Sequence, residues 1–147
     1  MSNTEIHDET QIHANCLFCK IVRGEVPSVK LYEDEETLAF LDIHPNNRGH
    51  ALVVPKTHFE NIYGLPAETL CRIALTSQKV ATALKNAVDA DGINIVMNNE
   101  SAAGQMIWHS HTHIIPRQNE DKGYLGQKYT YIAGEMEEIA EKVKKEL

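Results

Sequence analysis

The run His109-Ser110-His111-Thr112-His113-Ile114-Ile115-Pro116 places three histidines at alternate positions. Alternate side chains of a β-strand point to the same face, so the three rings would stand about 7 Å apart on one side. Imidazole titrates near neutral pH, can act as a nucleophile and can bind a metal. The alternation therefore predicts a strand that carries a chemical site, with a merely polar strand face as the weaker alternative.

Length and charge limit the class of protein. The 147 residues favour a single domain over residues 15–147, preceded by a flexible tail over residues 1–14. The net charge of -7 and the scattered basic residues argue against nucleic acid as a partner. No apolar stretch reaches the roughly 18 residues of a membrane span, and the first residues do not resemble a signal peptide. We therefore expect a cytoplasmic protein that binds neither nucleic acid nor membrane.

Hydrophobic periodicity predicts the elements around the histidine run. A helical period over residues 67–89 and 135–146 predicts two main helices, and residues 16–22 predict a short helical turn. The first main helix is expected to bury Leu70, Ile73, Ala74, Ser77, Ala81, Leu84 and Val88. Runs of β-forming residues predict strands at 29–33, 37–43, 50–54, 93–98 and 106–115. The fold class is therefore α+β, a five-stranded antiparallel sheet with two main helices on one face.

The segment Cys16-Leu-Phe-Cys19 has the spacing of metal ligands. Three cysteines, an odd number, do not favour a disulfide framework. Thiolates combined with imidazoles favour tetrahedral zinc. Two alternatives remain open here, namely cysteines packed as small apolar residues and a redox pair. A structural role is favoured for Cys71, which lies beside the helix stripe.

Five short motifs, in their order along the chain, resemble those of the histidine triad (HIT) family. They are Asp42-Ile43-His44-Pro45, Gly49-His50-Ala51-Leu52-Val53-Val54-Pro55-Lys56, Asn98-Asn99, Gly104-Gln105 and the histidine run. The resemblance covers nearly everything from Cys16 to Arg117 and is strongest to the nucleotide-binding branch. Its zinc-containing bacterial members have a similar Cys-x-x-Cys opening. The resemblance implies a HIT-like fold that pairs into a ten-stranded sheet in a homodimer.

The resemblance also implies an enzyme that hydrolyses or transfers nucleoside monophosphates at the α-phosphorus. His111, the middle histidine, would be the nucleophile and would form a nucleotidyl-histidine intermediate. His113 and His50 would donate hydrogen bonds to the phosphate oxygens. Gln105 would reach the bridging or leaving-group oxygen. Met106 takes the place of a serine that bonds the leaving group in some relatives, so the preferred leaving group stays open.

The nucleotide contacts follow from the same resemblance. It assigns Asp42 to the ribose hydroxyls and Asn98 to the phosphate, although Asn98 also suits a turn at a strand end. The base would be enclosed by Phe40, Ile43, Phe18 and Ile21. For Phe18 and Ile21, ordinary core packing is an equal alternative. Purine nucleotides such as AMP are the usual ligands of the family.

Zinc-containing relatives complete the metal site with the histidine after the Pro-Lys strand end and with the first histidine of the triad. The implied ligands here are Cys16, Cys19, His58 and His109. Four protein ligands close a zinc site, so the resemblance implies one structural zinc ion per chain.

Three functions follow from these observations. The leading one is hydrolysis of purine nucleoside phosphoramidates or other AMP conjugates. The second is hydrolysis of dinucleoside polyphosphates. The third is a module that binds a purine nucleotide or a protein partner and turns over only incidentally.

Overall fold

The regular elements lie close to their predicted positions in the computed structural model, which describes residues 14–121 and 128–147. The helices are α1 (Leu17–Val22), α2 (Ala67–Ala87) and α3 (Glu135–Glu146). The strands are β1 (Lys30–Glu33), β2 (Thr37–Leu41), β3 (Ala51–Pro55), β4 (Gly92–Val96) and β5 (Thr112–Arg117). The predicted tail over residues 1–14 lies outside the described residues, except for Ala14.

The five strands form one antiparallel sheet in the order β1-β2-β3-β5-β4. Strands β2 and β3 pair along their whole length, starting with Thr37 opposite Pro55, which confirms the predicted hairpin. Strand β5 lies between β3 and β4, with Ile114 opposite both Ala51 and Ile95. The predicted α+β fold class is therefore confirmed. The expected pairing of two such sheets in a dimer stays a prediction.

Both faces of the sheet are buried, which explains the nearly continuous apolar runs in β2 and β3. On one face Leu41, Val53 and Ile114 pack with the apolar sides of α2 and α3. On the other face Phe40 and Leu52 pack with α1. The two main helices therefore lie on one face, as predicted, and the short helix α1 covers the opposite face. This second layer brings α1 towards the segment that precedes β5.

Ile73, Ser77, Leu84 and Val88 of the predicted stripe are buried, but the buried face of α2 is shifted to one side of that stripe. Leu70 and Ala74 are exposed. The core instead includes residues one position before predicted ones, namely Thr76, Val80 and Ala83. The hydroxyl groups of Thr76 and Thr37 lie 2.7 Å apart in the core, and this bond helps to set the rotation of the helix. Within residues 14–121 and 128–147, no helix has the length and apolar composition to cross a membrane.

The strand that carries the histidines begins later than predicted. Strand β5 starts at Thr112, so His113 lies in the strand while the other two histidines of the run precede it. Pairing with β3 ends at Thr112 opposite Val53, and the preceding residues bond elsewhere. The Ser110 N–H, for example, donates to the Phe59 carbonyl at 2.6 Å. The prediction that all three histidines lie within one strand was therefore wrong.

A tight turn between β2 and β3 places His50 at the start of β3. Gly49 in this turn has a φ of +86°, in the left-handed region that favours glycine. A Cβ added there would lie 3.1 Å from Val88 Cγ1 and 3.2 Å from Pro116 Cγ. Both the backbone conformation and the lack of space therefore require glycine beside His50.

We expect Gly49→Ala to lower the free energy of unfolding more than Gly24→Ala does. Gly24 has a similar φ of +76°, but no atom lies within 4 Å of its added Cβ. Each variant adds about 1–2 kcal/mol of left-handed strain, and Gly49→Ala adds about 1 kcal/mol or more by crowding Val88 and Pro116. Urea unfolding of both variants measures the difference. Equal losses would show that crowding at Gly49 is unimportant.

Candidate active site and metal centre

Four metal-binding side chains from three parts of the chain converge beside α1. Cys16 Sγ and Cys19 Sγ lie 3.4 Å and 3.5 Å from His109 Nδ1. Cys19 Sγ also lies 3.4 Å from His58 Nδ1, and all four ligand atoms are within 4.8 Å of one another. Tetrahedral zinc with a Zn–S bond of about 2.3 Å and a Zn–N bond of about 2.05 Å has S···N edges of about 3.5 Å. The four side chains therefore fit one zinc ion.

The thiols of this cluster need a cation if they are to ionise. Burial, followed by the neighbouring Cys16, raises the pKa of Cys19 to about 12. Without a cation this thiol keeps its proton, which a metal ion would displace on binding. A redox pair needs a different environment, an exposed thiol with a lowered pKa. Four protein ligands are typical of a structural zinc site, as predicted.

The ring of His109 is oriented for a metal by the main chain. Its Nε2–H donates to the Pro55 carbonyl at 2.8 Å, because a carbonyl oxygen only accepts. The lone pair of the neutral ring is therefore on Nδ1, the atom that faces Cys16 and Cys19. A hydrogen bond on the far nitrogen is the usual way in which proteins orient a metal-binding imidazole.

His111 has the opposite tautomer. Its Nδ1–H donates to the His109 carbonyl at 2.7 Å, which leaves the lone pair on Nε2. The residue is 7% exposed, and this burial lowers its pKa, so the ring is neutral at pH 7. The edge of Phe18 packs against this ring, with the centroids 5.1 Å apart. A neutral, anchored imidazole with an available Nε2 lone pair is the form required of a nucleophile.

His50 and His113 form a hydrogen-bonded pair next to His111. The Asn46 N–H donates to His50 Nδ1 at 2.9 Å, so the proton of the neutral His50 ring is on Nε2. His50 Nε2–H then donates to His113 Nδ1 at 2.9 Å, which places the proton of His113 on its own Nε2. Burial lowers the pKa of His50 and lowers that of His113 to about 4. The Nε2–H of His50 is therefore bound to His113. The remaining N–H donor of the pair is Nε2–H of His113.

The same contacts argue against a second metal ion in this pair. Asp42, His50 and His113 also bring ligand atoms within 4.8 Å of one another. A metal on His50 would need the Nε2 lone pair and hence a proton on Nδ1. That proton would face the Asn46 N–H, which is also a donor. We therefore assign no metal ion to these three side chains, and their predicted contacts with a nucleotide stay predictions.

Gln105 is buried in a loop and binds three main-chain groups. Its Nε2 donates to the Glu60 carbonyl at 2.6 Å and to the Ile107 carbonyl at 3.0 Å. Its Oε1 accepts from the Glu100 N–H at 2.8 Å. Both amide hydrogens are thus used, and one lone pair of Oε1 remains. The expected contact with a leaving group stays a prediction, and the geometry limits it to acceptance of a hydrogen bond.

The residues predicted to contact the nucleotide differ in how deeply they are buried. Asp42 is partly buried, with one oxygen on the His44 N–H at 2.8 Å and the other 3.7 Å from His50 Nε2. Asn98 is partly buried in the loop that follows β4. Of the predicted base contacts, Phe18, Ile21 and Phe40 are buried in the core beneath α1, whereas Ile43 is exposed. Their roles in nucleotide binding stay predictions.

A main-chain carbonyl was expected to anchor the second nitrogen of His111, but the motifs do not identify the particular groups that set the proton positions. These are the carbonyls of Pro55 and His109 and the amide of Asn46. Main-chain groups have no residue-type signal, so no motif indicates them. Only the turn chemistry around Pro45 suggested a fixed loop at this place.

The fold and the site together define the class of protein, a zinc-binding α+β domain with a cluster of buried, neutral histidines beside the metal ligands. The HIT domain family matches residues 23–120. The chain belongs to this histidine triad family, as its motifs predicted.

Relatives and solved structures agree with this assignment. Protein hit of Bacillus subtilis is 46% identical over 110 residues, which are 75% of this chain and 76% of that protein. Adenosine 5'-monophosphoramidase HNT1 of Candida albicans is 37% identical over 142 residues, which are 92% of this chain and 93% of that protein. A crystal structure of a zinc-bound histidine triad family protein from Mycobacterium smegmatis has a TM-score of 0.81 and 37% identity. It covers 91% of this chain and 94% of that chain.

We expect one zinc ion per chain in the purified protein, and its loss in Cys19→Ser. The exposed Cys71 provides the matched control, since Cys71→Ser removes a thiol outside the cluster. Elemental analysis measures the zinc, and thermal unfolding measures its effect on stability. A free zinc concentration one hundred times the Kd would stabilise the fold by about 2.7 kcal/mol. Equal zinc contents in the two variants would refute the ligand assignment.

Proposed function

We propose that the protein hydrolyses phosphoramidates of AMP through attack of His111 on the α-phosphorus. The observation that carries this proposal is the hydrogen bond from His111 Nδ1 to the His109 carbonyl, which leaves the Nε2 lone pair available on a buried neutral ring. The Candida albicans relative named as an adenosine 5'-monophosphoramidase supports the substrate class.

The proposed reaction has two steps. In the first, His111 Nε2 forms a bond to phosphorus while the bond from phosphorus to the leaving nitrogen breaks, and the leaving amine takes up a proton. In the second, water displaces the histidine, which releases AMP and a proton and restores the neutral ring. His113 Nε2–H donates to a non-bridging phosphate oxygen as charge develops there. Zinc, when bound, holds His109 and with it the carbonyl that orients His111.

The hydrogen-bonding capacity that Gln105 has left favours an amine as leaving group. Its two amide hydrogens are bound to carbonyls, so the side chain offers only an Oε1 lone pair. A leaving amine carries N–H groups that such an acceptor can bind. The phosphate leaving group of a dinucleoside polyphosphate presents acceptor oxygens instead. This difference places the phosphoramidase proposal ahead of dinucleoside polyphosphate hydrolysis.

We expect His111→Ala to abolish AMP release from an adenosine phosphoramidate, by at least about a thousandfold, because the nucleophile is lost. The exposed His44 is the matched control, and His44→Ala should keep the wild-type rate. Chromatography of released AMP measures turnover, and calorimetry with AMP measures whether binding persists. Retention of most of the activity in His111→Ala would exclude the nucleophile assignment.

Diadenosine tetraphosphate, tested separately, distinguishes the alternative functions. Faster release of AMP from this substrate than from the phosphoramidate would favour the dinucleoside polyphosphate hydrolase. Tight binding of AMP without turnover of either substrate would favour a nucleotide-binding module.

We expect kcat/KM to fall little between pH 7 and pH 6. The nucleophile acts as a neutral ring, and burial lowers the pKa of His111 below 6.5 in the free protein. An ordinary imidazole with a pKa of about 6.5 would lose about two thirds of its neutral fraction over this range. A pH profile of kcat/KM, which reports the free enzyme, measures the loss, with zinc content checked at each pH. A threefold or larger fall in kcat/KM would contradict the lowered pKa.

The lowered pKa of the buried histidines also means that the free energy of unfolding falls as the pH is lowered below 6.5. The folded-state pKa of His113 is about 4, below the value of 6.5 expected for the unfolded chain. The unfolded chain therefore binds more protons between these values. The contribution of His113 to the free energy of unfolding is therefore fully present above pH 6.5, and it is lost as the pH falls towards 4.

A further inference from the structure

The turn that carries His50 is bound at Asn47 by the Pro116 carbonyl at 2.9 Å, and it is also held by a segment beyond the residues that the HIT family matches. We call Tyr129, Tyr131 and Glu135 the C-terminal clamp. The Tyr129 N–H donates to the Pro45 carbonyl at 3.0 Å. The Tyr131 hydroxyl accepts a hydrogen bond from the Gly49 N–H at 2.9 Å. The clamp therefore binds both ends of the turn at residues 45–49.

Glu135 joins the parts of this clamp. Its Oε1 accepts from Arg48 Nε at 2.9 Å and from the Tyr129 hydroxyl at 2.6 Å. Its Oε2 accepts from the Ile132 N–H at 3.1 Å. The bond with Tyr129 is the main favourable cause that lowers the pKa of Glu135, so the carboxylate is ionised at neutral pH. A carboxylate that is only 9% exposed is costly unless such partners compensate it.

The packing of α3 does not require this buried charge. The helix contributes Ile139, Ala140 and Val143 to the core. Glu135 instead lies at the start of the helix and points its oxygens to the turn and to the preceding segment. Its contacts thus indicate that it holds the turn in place.

The turn at residues 45–49 determines which ring nitrogen of His50 carries the proton. The Asn46 N–H, inside the clamped turn, is the group that places this proton on Nε2. If the amide moved away, Nδ1 could carry the proton and Nε2 would lose its hydrogen. His113 Nδ1 would then have no donor from His50, and His113 would no longer be restricted to the tautomer with Nε2–H. The donor for the phosphate would be present only part of the time.

We propose that the C-terminal clamp is a positioning element that keeps His50 and His113 in their Nε2–H tautomers. The effect on rate rests on the proposed function, whereas the effect on the tautomers does not. Tyr129, Tyr131 and Glu135 act through the turn and make no contact with the reacting atoms.

The test compares Tyr131→Phe and Glu135→Gln with the wild type, using the full zinc-loaded chain. Each has a matched control away from the clamp, Tyr32→Phe in β1 and Glu138→Gln on the exposed side of α3. Long-range ¹H–¹⁵N NMR spectra of the histidine rings distinguish the tautomers. We expect a protonated Nε2 on His50 in the wild type and both controls, and averaged tautomer shifts in the clamp variants.

The kinetic expectation follows from the loss of a donor that acts mainly in the transition state. Both clamp variants should lower kcat for an adenosine phosphoramidate about tenfold, equivalent to one hydrogen bond, while KM changes less than about twofold. Loss of folded protein would lower the apparent kcat as well, so thermal unfolding and zinc content are measured on every sample. A change in the His50 tautomer distinguishes the clamp from a merely structural role.

Unchanged His50 ring shifts in both folded clamp variants would overturn the proposal. If the wild type releases no AMP, the proposed function fails while the NMR comparison still decides the clamp. If Glu135→Gln does not fold, Tyr131→Phe decides the test, because it removes a single hydroxyl group and keeps the ring that packs against Tyr129.

Discussion

His109 connects the zinc ligands to His111, the proposed nucleophile, and the geometry of the site depends on this one residue. Its ring is held by the Pro55 carbonyl and faces the two thiols, while its own carbonyl accepts from His111. The residue precedes β5, so no sheet pairing fixes it. The contacts of its ring with the Pro55 carbonyl and with the two thiols thus hold His109 in place, as pairing between strands holds residues elsewhere in the sheet. His111 also lies outside the strand and requires such an anchor, since a small shift of the His109 carbonyl would turn the ring of the proposed nucleophile.

The histidines of the site can approach one another closely because they are neutral. The ring centroids of His111 and His113 are 5.0 Å apart, and those of His50 and His113 are 5.1 Å apart. Two unit charges at this distance would repel by about 3 kcal/mol at an effective dielectric constant of 20. Burial removes this repulsion by disfavouring the charged forms. The site therefore has few positive charges, but it keeps the Nε2 lone pair of His111 and a defined set of N–H donors, as the proposed reaction requires.

Local patterns in the sequence were sufficient for the fold class and for most of the elements. Helix α3 has the predicted bounds, Glu135–Glu146, because its apolar period and flanking turn residues are unambiguous. The rotation of α2 could not be predicted, since small or apolar residues occur on both sides of its stripe and a distant contact with Thr37 selects between them. The start of β5 depends on where β3 stops pairing, which no residue within β5 specifies.

The spacing of the histidines and cysteines and the resemblance to the HIT family indicated the side chains of the site, but not the particular groups that fix their protons. Each tautomer depends on a main-chain group that can only donate or only accept, supplied by Pro55, His109 or Asn46. The same histidines with the opposite tautomers would have a blocked nucleophile and no donor for the phosphate. A motif match therefore specifies which rings are present, whereas the surrounding backbone specifies what each ring can do. This explains why residues such as Glu135, outside the matched family region, matter to a site that they do not touch.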